Sequence, residues 1–312
     1  MISVQAGWQT AANIKLSVVI TNYNYALLLP RAVDSVISQL RDCVELLVVD
    51  DGSTDESVSW LQRYAVPEGF NAGYLSQANA GPAAARNRAL KVLRGEWVLF
   101  LDADDALCSD AVQHICAALD YRPELDLLLG GHFAVYSDGR EKYRAPSRLA
   151  ADRDQRLQDY FFNRKVSVSH GCSVFRAAAV RQREYPEHLR QGEDIAVFAW
   201  MLLQPHCERI DVPLAKIHKH ADSLRNDAEL TMANACLVAE AVFARMPESL
   251  QPLRPLYEAK RSLSAFRSCY RAGYYKEAKA YYSAALKAAP RQALRWDYFS
   301  KWVRLQFKQY LG

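Results

Sequence analysis

The sequence EWVLFLDADD (residues 96–105) joins a run of apolar residues directly to a group of three aspartates. An unbroken apolar run of this length indicates a strand that is buried on both faces, as in a parallel sheet covered by helices. Carboxylates this close repel one another and raise each other's pKa unless a cation neutralises them. The stretch therefore predicts a buried strand with a site for a hard cation, Mg²⁺ or Mn²⁺, at its carboxyl end.

The same arrangement recurs along the first 130 residues. Strand-like runs at 15–21, 44–50 and 72–77 precede the run at 96–102, helical patterns separate them, and a fifth run lies at 126–131. This alternation predicts right-handed βαβ units and a mostly parallel α/β sheet. The polar motifs TNYN, DDGSTD, QANAG and DADD each follow a strand. Since ligands of open α/β sheets bind at the carboxyl ends of strands, one pocket is expected there.

Composition excludes several classes of protein. The 312 residues are 50% hydrophobic and 24% charged, which is typical of a globular chain and not of a disordered one. A formal charge of +4 is too small to indicate a nucleic-acid partner. The seven cysteines contain no C-x-x-C pair, and no apolar stretch reaches the ~20 residues of a membrane-spanning helix. A cytoplasmic protein, at most resting on the inner face of the cell membrane, is the expectation.

The motif DDGSTD (residues 50–55) suggests a nucleotide contact. Gly52 permits a tight turn and the residues after it can cap the next helix, but neither role explains Asp50 together with Asp51. These carboxylates can accept hydrogen bonds from a base or a ribose, and Tyr23 of TNYN can stack on a base. Neither G-x-x-x-x-G-K-[ST] nor G-x-G-x-x-G occurs, so an ATP P-loop and a Rossmann dinucleotide fingerprint are excluded.

The motif NAGPAAARN (residues 79–87) opens a helix and carries Arg86 one turn inside it. A helix N-terminus together with an arginine is typical of sites that bind phosphate groups. Arg86 is therefore a candidate clamp for a diphosphate.

The motifs TNYN, DDGSTD, NAGPAAARN, FLDADD and GED, in this order, resemble the inverting glycosyltransferases of family 2, which have the GT-A fold. The resemblance covers about residues 15–224; each motif alone is weak, but five in order are specific. It implies a Rossmann-like nucleotide-sugar-binding domain over 1–225, a nucleotide-sugar donor with UDP favoured, and Mn²⁺ or Mg²⁺. The implied reaction is single-displacement transfer to a hydroxyl of a glycan or lipid-linked acceptor, in the biosynthesis of a surface polysaccharide or lipopolysaccharide.

The resemblance also implies roles for individual residues. Thr21, Tyr23 and Asp51 would hold the uridine, and Asp102 and Asp104 the ribose and the metal. Further candidates in the same motifs are Asn24, Asp50 and Asp105.

The motif GED places Glu193 and Asp194 in the first turn of a predicted helix. The resemblance implies that Asp194 is the general base, with Glu193 beside it; the same position fits carboxylates that only complement the helix dipole. The resemblance also implies a late histidine as a metal ligand, for which His220 in H-x-x-S fits best and His218 is the alternative. His170 would lie near the acceptor.

The region 226–312 is predicted to be an all-helical extension. FRSCYRAGYYKEAKAYYSAALKAAP (266–290) predicts a helical hairpin, and the chain ends in an amphipathic helix. One stripe is charged and mainly basic (Asp297, Lys301, Arg304, Lys308), and the other is apolar and mainly aromatic (Trp296, Phe299, Val303, Phe307, Tyr310). This helix either packs on the protein through its aromatic face or lies on an anionic membrane.

Two alternative functions are a sugar-nucleotide nucleotidyltransferase and a non-catalytic scaffold. A sugar-nucleotide nucleotidyltransferase also uses an α/β sheet and a metal, but it usually has a glycine-rich loop after the first strand, and TNYNYALLLPR has no glycine. A non-catalytic scaffold would use the helical extension instead. The arginine-rich segment 137–165 is expected to be a long loop over the site.

Overall fold

A computed structural model describes residues 13–65, 70–219 and 228–308. The chain divides into two compact units, one made of residues 1–187 and 197–220 and the other of residues 188–196 and 221–312. The predicted boundary between residues 225 and 226 lies outside the described residues. The segment 188–196, which the sequence assigned to the catalytic domain, groups with the helical unit.

The first half of the first unit consists of parallel strands alternating with helices, as predicted. The strands, in the spatial order β3–β2–β1–β4, are β1 (Leu16–Asn22), β2 (Val44–Asp50), β3 (Asn71–Ser76) and β4 (Trp97–Asp102). The helices are α1 (Leu29–Ile37), α2 (Ser57–Arg63), α3 (Pro82–Val92) and α4 (Ala111–Tyr121). Because these strands are parallel, the four polar motifs meet at one edge of the sheet.

Burial on both faces explains the unbroken apolar runs. Along β1, Leu16, Val18 and Ile20 belong to one hydrophobic cluster and Val19 belongs to the cluster on the opposite face. Successive side chains of a strand point to opposite faces, so each cluster receives alternate residues. Each fully buried aliphatic side chain contributes about 1.5–3 kcal/mol, which fixes the strand register.

The second half of the sheet mixes directions. Its strands are β5 (Ala106–Leu107), β6 (Leu127–Val135), β7 (Glu141–Arg144), β8 (Ser173–Arg176) and β9 (Cys207–His218). β8 lies antiparallel between β4 and β6, and β9 runs parallel to β6. The described residues thus form one sheet of nine strands in which the longest ladders are parallel. The predicted α/β class with a mostly parallel sheet is confirmed, whereas the antiparallel insertion of β8 was not predicted.

The segment 137–165 is not the long loop that its composition suggested. β7 pairs with the end of β6, so that two strands form a hairpin. The segment continues as α5 (Arg153–Gln158) and a single π-helical turn, Asp159–Asn163. The Asp152 side chain caps α5 by accepting a hydrogen bond from the backbone N–H of Gln155 at 2.7 Å. Two further helices complete the region, α6 (Ala177–Arg181) and α7 (Glu193–Leu202).

The second unit is helical, as predicted. Its helices are α8 (Ala228–Phe243), α9 (Arg254–Ala272), α10 (Tyr275–Ala288), α11 (Pro290–Ala293) and α12 (Trp296–Lys308). The predicted hairpin is α9 and α10, and Gly273 ends α9 with a φ of +85°. Across the ranges that the structure describes, no helix combines the length and the apolar character that crossing a bilayer requires.

The last helix is amphipathic, but it buries a different face from the one predicted. Tyr298 and Leu305 belong to the hydrophobic cluster of the second unit, and the Trp302 ring stacks on Tyr282 with centroids 4.5 Å apart. Trp296 and Phe307, from the predicted aromatic stripe, are 77% and 65% exposed. Tyr310 lies outside the described residues. The helix therefore packs through the face of Tyr298, Trp302 and Leu305 and leaves Trp296 and Phe307 exposed.

Candidate active site

Three aspartates converge at the carboxyl end of β4. Asp102 is the last residue of the strand, and the chain then turns so that the backbone N–H of Asp105 donates to the carbonyl oxygen of Asp102 at 3.0 Å. One carboxylate oxygen from each of Asp102, Asp104 and Asp105 lies within 4.8 Å of those of the other two. The predicted acidic site is therefore assembled by a single tight turn.

The electrostatics of this cluster fit a divalent cation. Burial, together with the charges of Asp105 and Asp102, raises the pKa of Asp104 to about 7. Burial also raises the pKa of Asp105, although a hydrogen bond from His218 opposes that rise. A bound cation relieves both the repulsion and the desolvation, and carboxylate oxygens are the ligands that Mg²⁺ and Mn²⁺ prefer. The residues present thus fit the metal that the sequence implied.

His218 lies beside the cluster at the end of β9. Its backbone N–H donates to Asp105 Oδ1 at 2.8 Å, and its ring Nδ1 is 3.8 Å from the same oxygen. The other candidate, His220, lies outside the described residues. The metal-ligand role of either histidine stays a prediction.

Arg86 lies under Asp102. It is 4% exposed, and its Nη2 donates to Asp102 Oδ1 at 3.0 Å. Thr21 Oγ1 lies 3.5 Å from the same carboxylate oxygen. Because this ion pair holds the guanidinium against Asp102, Arg86 orients and partly neutralises that carboxylate. The predicted contact of Arg86 with a diphosphate stays a prediction.

Tyr185, which the sequence did not single out, holds Arg86 from the other side. Its ring centroid is 5.5 Å from the Arg86 guanidinium carbon. Asn87, next to Arg86 on α3, accepts a hydrogen bond from the Tyr185 backbone N–H at 2.8 Å and donates to the Tyr185 carbonyl at 2.9 Å. The ARN ending of the third motif, which brings Arg86 and Asn87 together, was the only sequence signal for this contact.

His170 belongs to the hydrophobic core. It is 6% exposed, it packs against Phe198, and its Nε2 is 2.9 Å from the Tyr185 hydroxyl oxygen. Burial, with the charge of Arg86 second, lowers the pKa of His170 well below 6.5, so the ring is neutral. His170 thus supports Tyr185 from inside the fold, and its expected position near the acceptor stays a prediction.

The first two motifs are tied to each other by two of the predicted site residues. Asp50 is fully buried and accepts hydrogen bonds from Asn22 Nδ2 at 2.8 Å and from Ser53 Oγ at 2.5 Å. Asn24, with a φ of +57°, accepts a hydrogen bond from the backbone N–H of Thr54 at 2.7 Å. Both side chains thus join the end of β1 to the loop after β2, which explains their presence without a ligand.

Asp51 organises the third motif. Its carboxylate accepts hydrogen bonds from Gln77 Nε2 at 2.7 Å and from the backbone N–H groups of Ala80 at 2.9 Å and Gly81 at 2.7 Å. A carboxylate offers about four acceptor positions, so one remains for a ligand. Tyr23 is 44% exposed, which leaves its ring accessible for stacking. The uridine contacts of Thr21, Tyr23 and Asp51 stay predictions.

Glu193 and Asp194 begin α7, as the GED motif predicted, and both belong to the second unit. Glu193 is buried and Asp194 half-buried. Burial raises the pKa of Tyr257 to about 12, and the nearby charge of Asp194 adds to this rise. Tyr257 is thus a neighbour of Asp194 that the sequence did not indicate. The general-base role stays a prediction.

A family model described as glycosyl transferase family 2 matches residues 17–183, more than half of the chain. The chain belongs to glycosyl transferase family 2. This confirms the family that the five motifs indicated and, with it, the class of enzyme, a glycosyltransferase. The nucleotidyltransferase and scaffold hypotheses are set aside.

Several known glycosyltransferases are similar to this member of the family. An uncharacterized glycosyltransferase of Nostoc sp. is 43% identical over 132 residues, which are 41% of this chain and 39% of that protein. The poly(ribitol-phosphate) beta-glucosyltransferase of Bacillus spizizenii is 35% identical over 193 residues, which are 58% of this chain and 28% of that protein. The chain thus spans well under half the length of these curated relatives.

A solved structure shares the fold. The crystal structure of S. aureus TarS 1–349 in complex with UDP superposes with a TM-score of 0.62 at 21% identity, covering 90% of this chain and 82% of that one. The predicted GT-A fold is thereby confirmed.

The turn after β2 gives a test of the site's framework. Gly52 has a φ of +77°, and a Cβ there would lie 2.6 Å from the Asn79 backbone nitrogen. Gly139 has a φ of +82° with no atom within 4 Å of its Cβ position. We expect Gly52→Ala to lower the free energy of unfolding by about 3 kcal/mol, and the control Gly139→Ala by about 1 kcal/mol. Equal losses in urea denaturation would contradict the close approach of the two loops.

Asp104 gives a pH-dependent prediction. Its pKa is about 7 against an ordinary 3.8, so the folded state holds the extra proton between these values, and stability is lost as the pH rises through about 7. Asparagine mimics the protonated form. In metal-free protein, Asp104→Asn should raise the Tm by several degrees at about pH 8 but hardly at about pH 4. The control is the exposed carboxylate variant Asp42→Asn; a Tm difference independent of pH would refute the prediction.

Proposed function

We propose that the chain transfers a sugar from a UDP-sugar to a hydroxyl of a glycan or lipid-linked acceptor, in the synthesis of a cell-surface polysaccharide or lipopolysaccharide. The observation that carries this proposal is the cluster of Asp102, Asp104 and Asp105 at the same sheet edge as Tyr23 and Asp51. The UDP bound to the TarS structure supports the choice of nucleotide, and the name of the Bacillus spizizenii relative supports a surface polymer.

The proposed metal is Mn²⁺ or Mg²⁺, held by Asp104 with Asp102 and Asp105, and with His218 or His220. When bound, the cation supplies neutralisation of the charge that grows on the departing diphosphate. Arg86 aligns Asp102 through the ion pair at 3.0 Å.

In the proposed mechanism, Tyr23 stacks on the uracil ring, and Asp51 uses its remaining acceptor position for the base. Asp194 accepts the proton of the acceptor hydroxyl while that oxygen attacks the anomeric carbon, and the bond from this carbon to the diphosphate breaks. Attack from the face opposite the leaving group inverts the anomeric configuration. The N-terminal turn of α7 favours the ionised form of Asp194, as a base requires.

Replacing the proposed base separates binding from transfer. Asp194→Asn should reduce kcat by about 10²–10⁴-fold, because the hydroxyl loses its proton acceptor, while the Kd for UDP with Mn²⁺ stays nearly unchanged. The matched control is Glu184→Gln, an exposed acid on the segment before α7. Transfer at the wild-type rate would eliminate Asp194 as the base. Absence of UDP binding by the wild-type chain in calorimetry would defeat the proposed function itself.

We also propose that α12 attaches the enzyme to an anionic membrane surface. Its exposed aromatic flank, Trp296 and Phe307, continues into Leu294, which is 54% exposed. Arg304 of α12 and Arg295, which directly precedes the helix and lies 3.7 Å from Asp297, are exposed as well. Aromatic side chains enter the interfacial layer while arginines meet lipid phosphates, each worth about 1 kcal/mol near an anionic leaflet.

The membrane proposal is tested with point variants, since truncation would remove the buried Tyr298 and Leu305. The double variant Trp296→Gln/Phe307→Gln should lose most of its co-sedimentation with phosphatidylglycerol-containing vesicles. Tyr121→Gln, which alters an 84% exposed ring on α4, should bind vesicles like the wild type. Equal pelleting of all three proteins, or equal binding to pure phosphatidylcholine, would disprove the attachment.

A further inference from the structure

A group of basic side chains on one corner of the sheet is not used by the proposed mechanism. His132 of β6 lies opposite Arg144 of β7, and Lys142, two residues earlier, shares the same face because strand side chains alternate. The backbone N–H of Lys219 donates to the carbonyl oxygen of Val135, the last residue of β6, at 2.8 Å. We call His132, Lys142, Arg144 and Lys219 the basic corner.

The basic corner carries net positive charge. Burial, reinforced by the charges of Lys219 and Arg144, lowers the pKa of His132 to about 4. The two acids of the β6–β7 hairpin are engaged elsewhere: Asp138 pairs with Arg140 at 2.6 Å, and Glu141 with Lys216 at 2.7 Å. Within the described ranges, no carboxylate forms an ion pair with Lys142 or Arg144. An anion supplied from outside would complete the arrangement.

Cys172 lies next to the basic corner. Cys172 Sγ lies 3.8 Å from His132 Nδ1. Burial raises the pKa of the Cys172 thiol to about 12. The charge of Asp105 adds to this rise, and the charge of Lys219 opposes it. In addition, His218, which precedes Lys219, donates to Asp105. The positive and negative groups are therefore adjacent along the same edge.

The topology places the basic corner on the side of the cluster away from the nucleotide motifs. The strand order is β3–β2–β1–β4–β8–β6–β9, with the nucleotide motifs after β1 and β2 and the carboxylate cluster after β4. β6 and β9 lie beyond β8 and run in the same direction as β4, so their carboxyl ends reach the same edge. A donor that lies over β1 and β2 with its diphosphate at the cluster leaves the corner to the other substrate.

We infer that the basic corner binds an anionic group of the acceptor, a phosphodiester or a carboxylate, while the acceptor's hydroxyl lies at the carboxylate cluster. This inference rests on the proposed function. The acidic cluster repels an anionic acceptor, and Arg144, Lys142 and Lys219 offset that repulsion and fix its orientation. Arg144 can donate two parallel hydrogen bonds to either oxyanion. These bonds would fix the orientation of the anion, in addition to the attraction between the charges.

The experiment measures binding of three probes to the full chain in the presence of UDP and Mn²⁺. The probes are a glycerol-phosphate oligomer, an oligogalacturonate and a neutral maltooligosaccharide, so that phosphate, carboxylate and uncharged chains are compared. We expect the wild type to bind at least one anionic probe, more weakly at high salt, and to bind it better than the neutral one. Failure to bind either anionic probe, or equal binding of all three, overturns the inference.

Variants locate the binding. Lys142→Gln/Arg144→Gln should weaken binding of the anionic probe about ten-fold and leave the Kd for UDP within about two-fold. The control is Arg140→Gln, at the exposed tip of the same hairpin and paired with Asp138. Unchanged probe affinity in the double variant overturns the inference, as does an equal loss of UDP affinity, which would assign the corner to the donor. UDP binding by the wild type is read separately, so its absence would instead reject the proposed function.

Discussion

The crowding of three carboxylates within 4.8 Å is the constraint on which the site depends. Like charges at this distance in a half-buried position are unfavourable, and the fold keeps them there because β4 is locked between β1 and β8 by burial on both faces. Two neighbours lower the cost: Arg86 pairs with Asp102, and His218 donates to Asp105. The negative charge is therefore least compensated at Asp104, whose pKa is raised to about 7. A cation bound there would stabilise the cluster most.

The polar motifs divide into residues that build the edge and residues that face a ligand. Asp50 and Asn24 form hydrogen bonds that join neighbouring loops, and Asp51 accepts a hydrogen bond from the residue at the start of α3. Tyr23 is 44% exposed, and Asp104 contributes one of the carboxylates of the acidic cluster. A run such as DDGS therefore combines both kinds of residue, because a loop must first be fixed before one of its side chains can select a ligand.

The sequence predicted those features that depend on residues close together in the chain. The apolar runs predicted β1 to β4, and the aspartates at the end of β4 predicted the carboxylate cluster. The position of β8, the pairing of β7 and the burial of His170 depend on partners far along the chain, which no local pattern encodes. The same reason explains which face of α12 packs. The sequence pattern suggested the face of Trp296 and Phe307, whereas the helix packs through the face on which Trp302 stacks on Tyr282. Asp194 was found by its motif alone, whereas its neighbour Tyr257 required coordinates.

Helix α3 connects two parts of the edge mechanically. The backbone N–H of Gly81, directly before the helix, donates to the Asp51 carboxylate. One turn into the helix, Arg86 donates to Asp102. One turn of helix is about 5.4 Å long and stiff, so a shift at one end is passed to the other with little loss. In the proposed mechanism, a base that binds Asp51 therefore also acts on the position of Arg86 and so on the orientation of Asp102. Nucleotide recognition and the arrangement of the proposed cation site would then be coupled, and a mismatched base would disturb both.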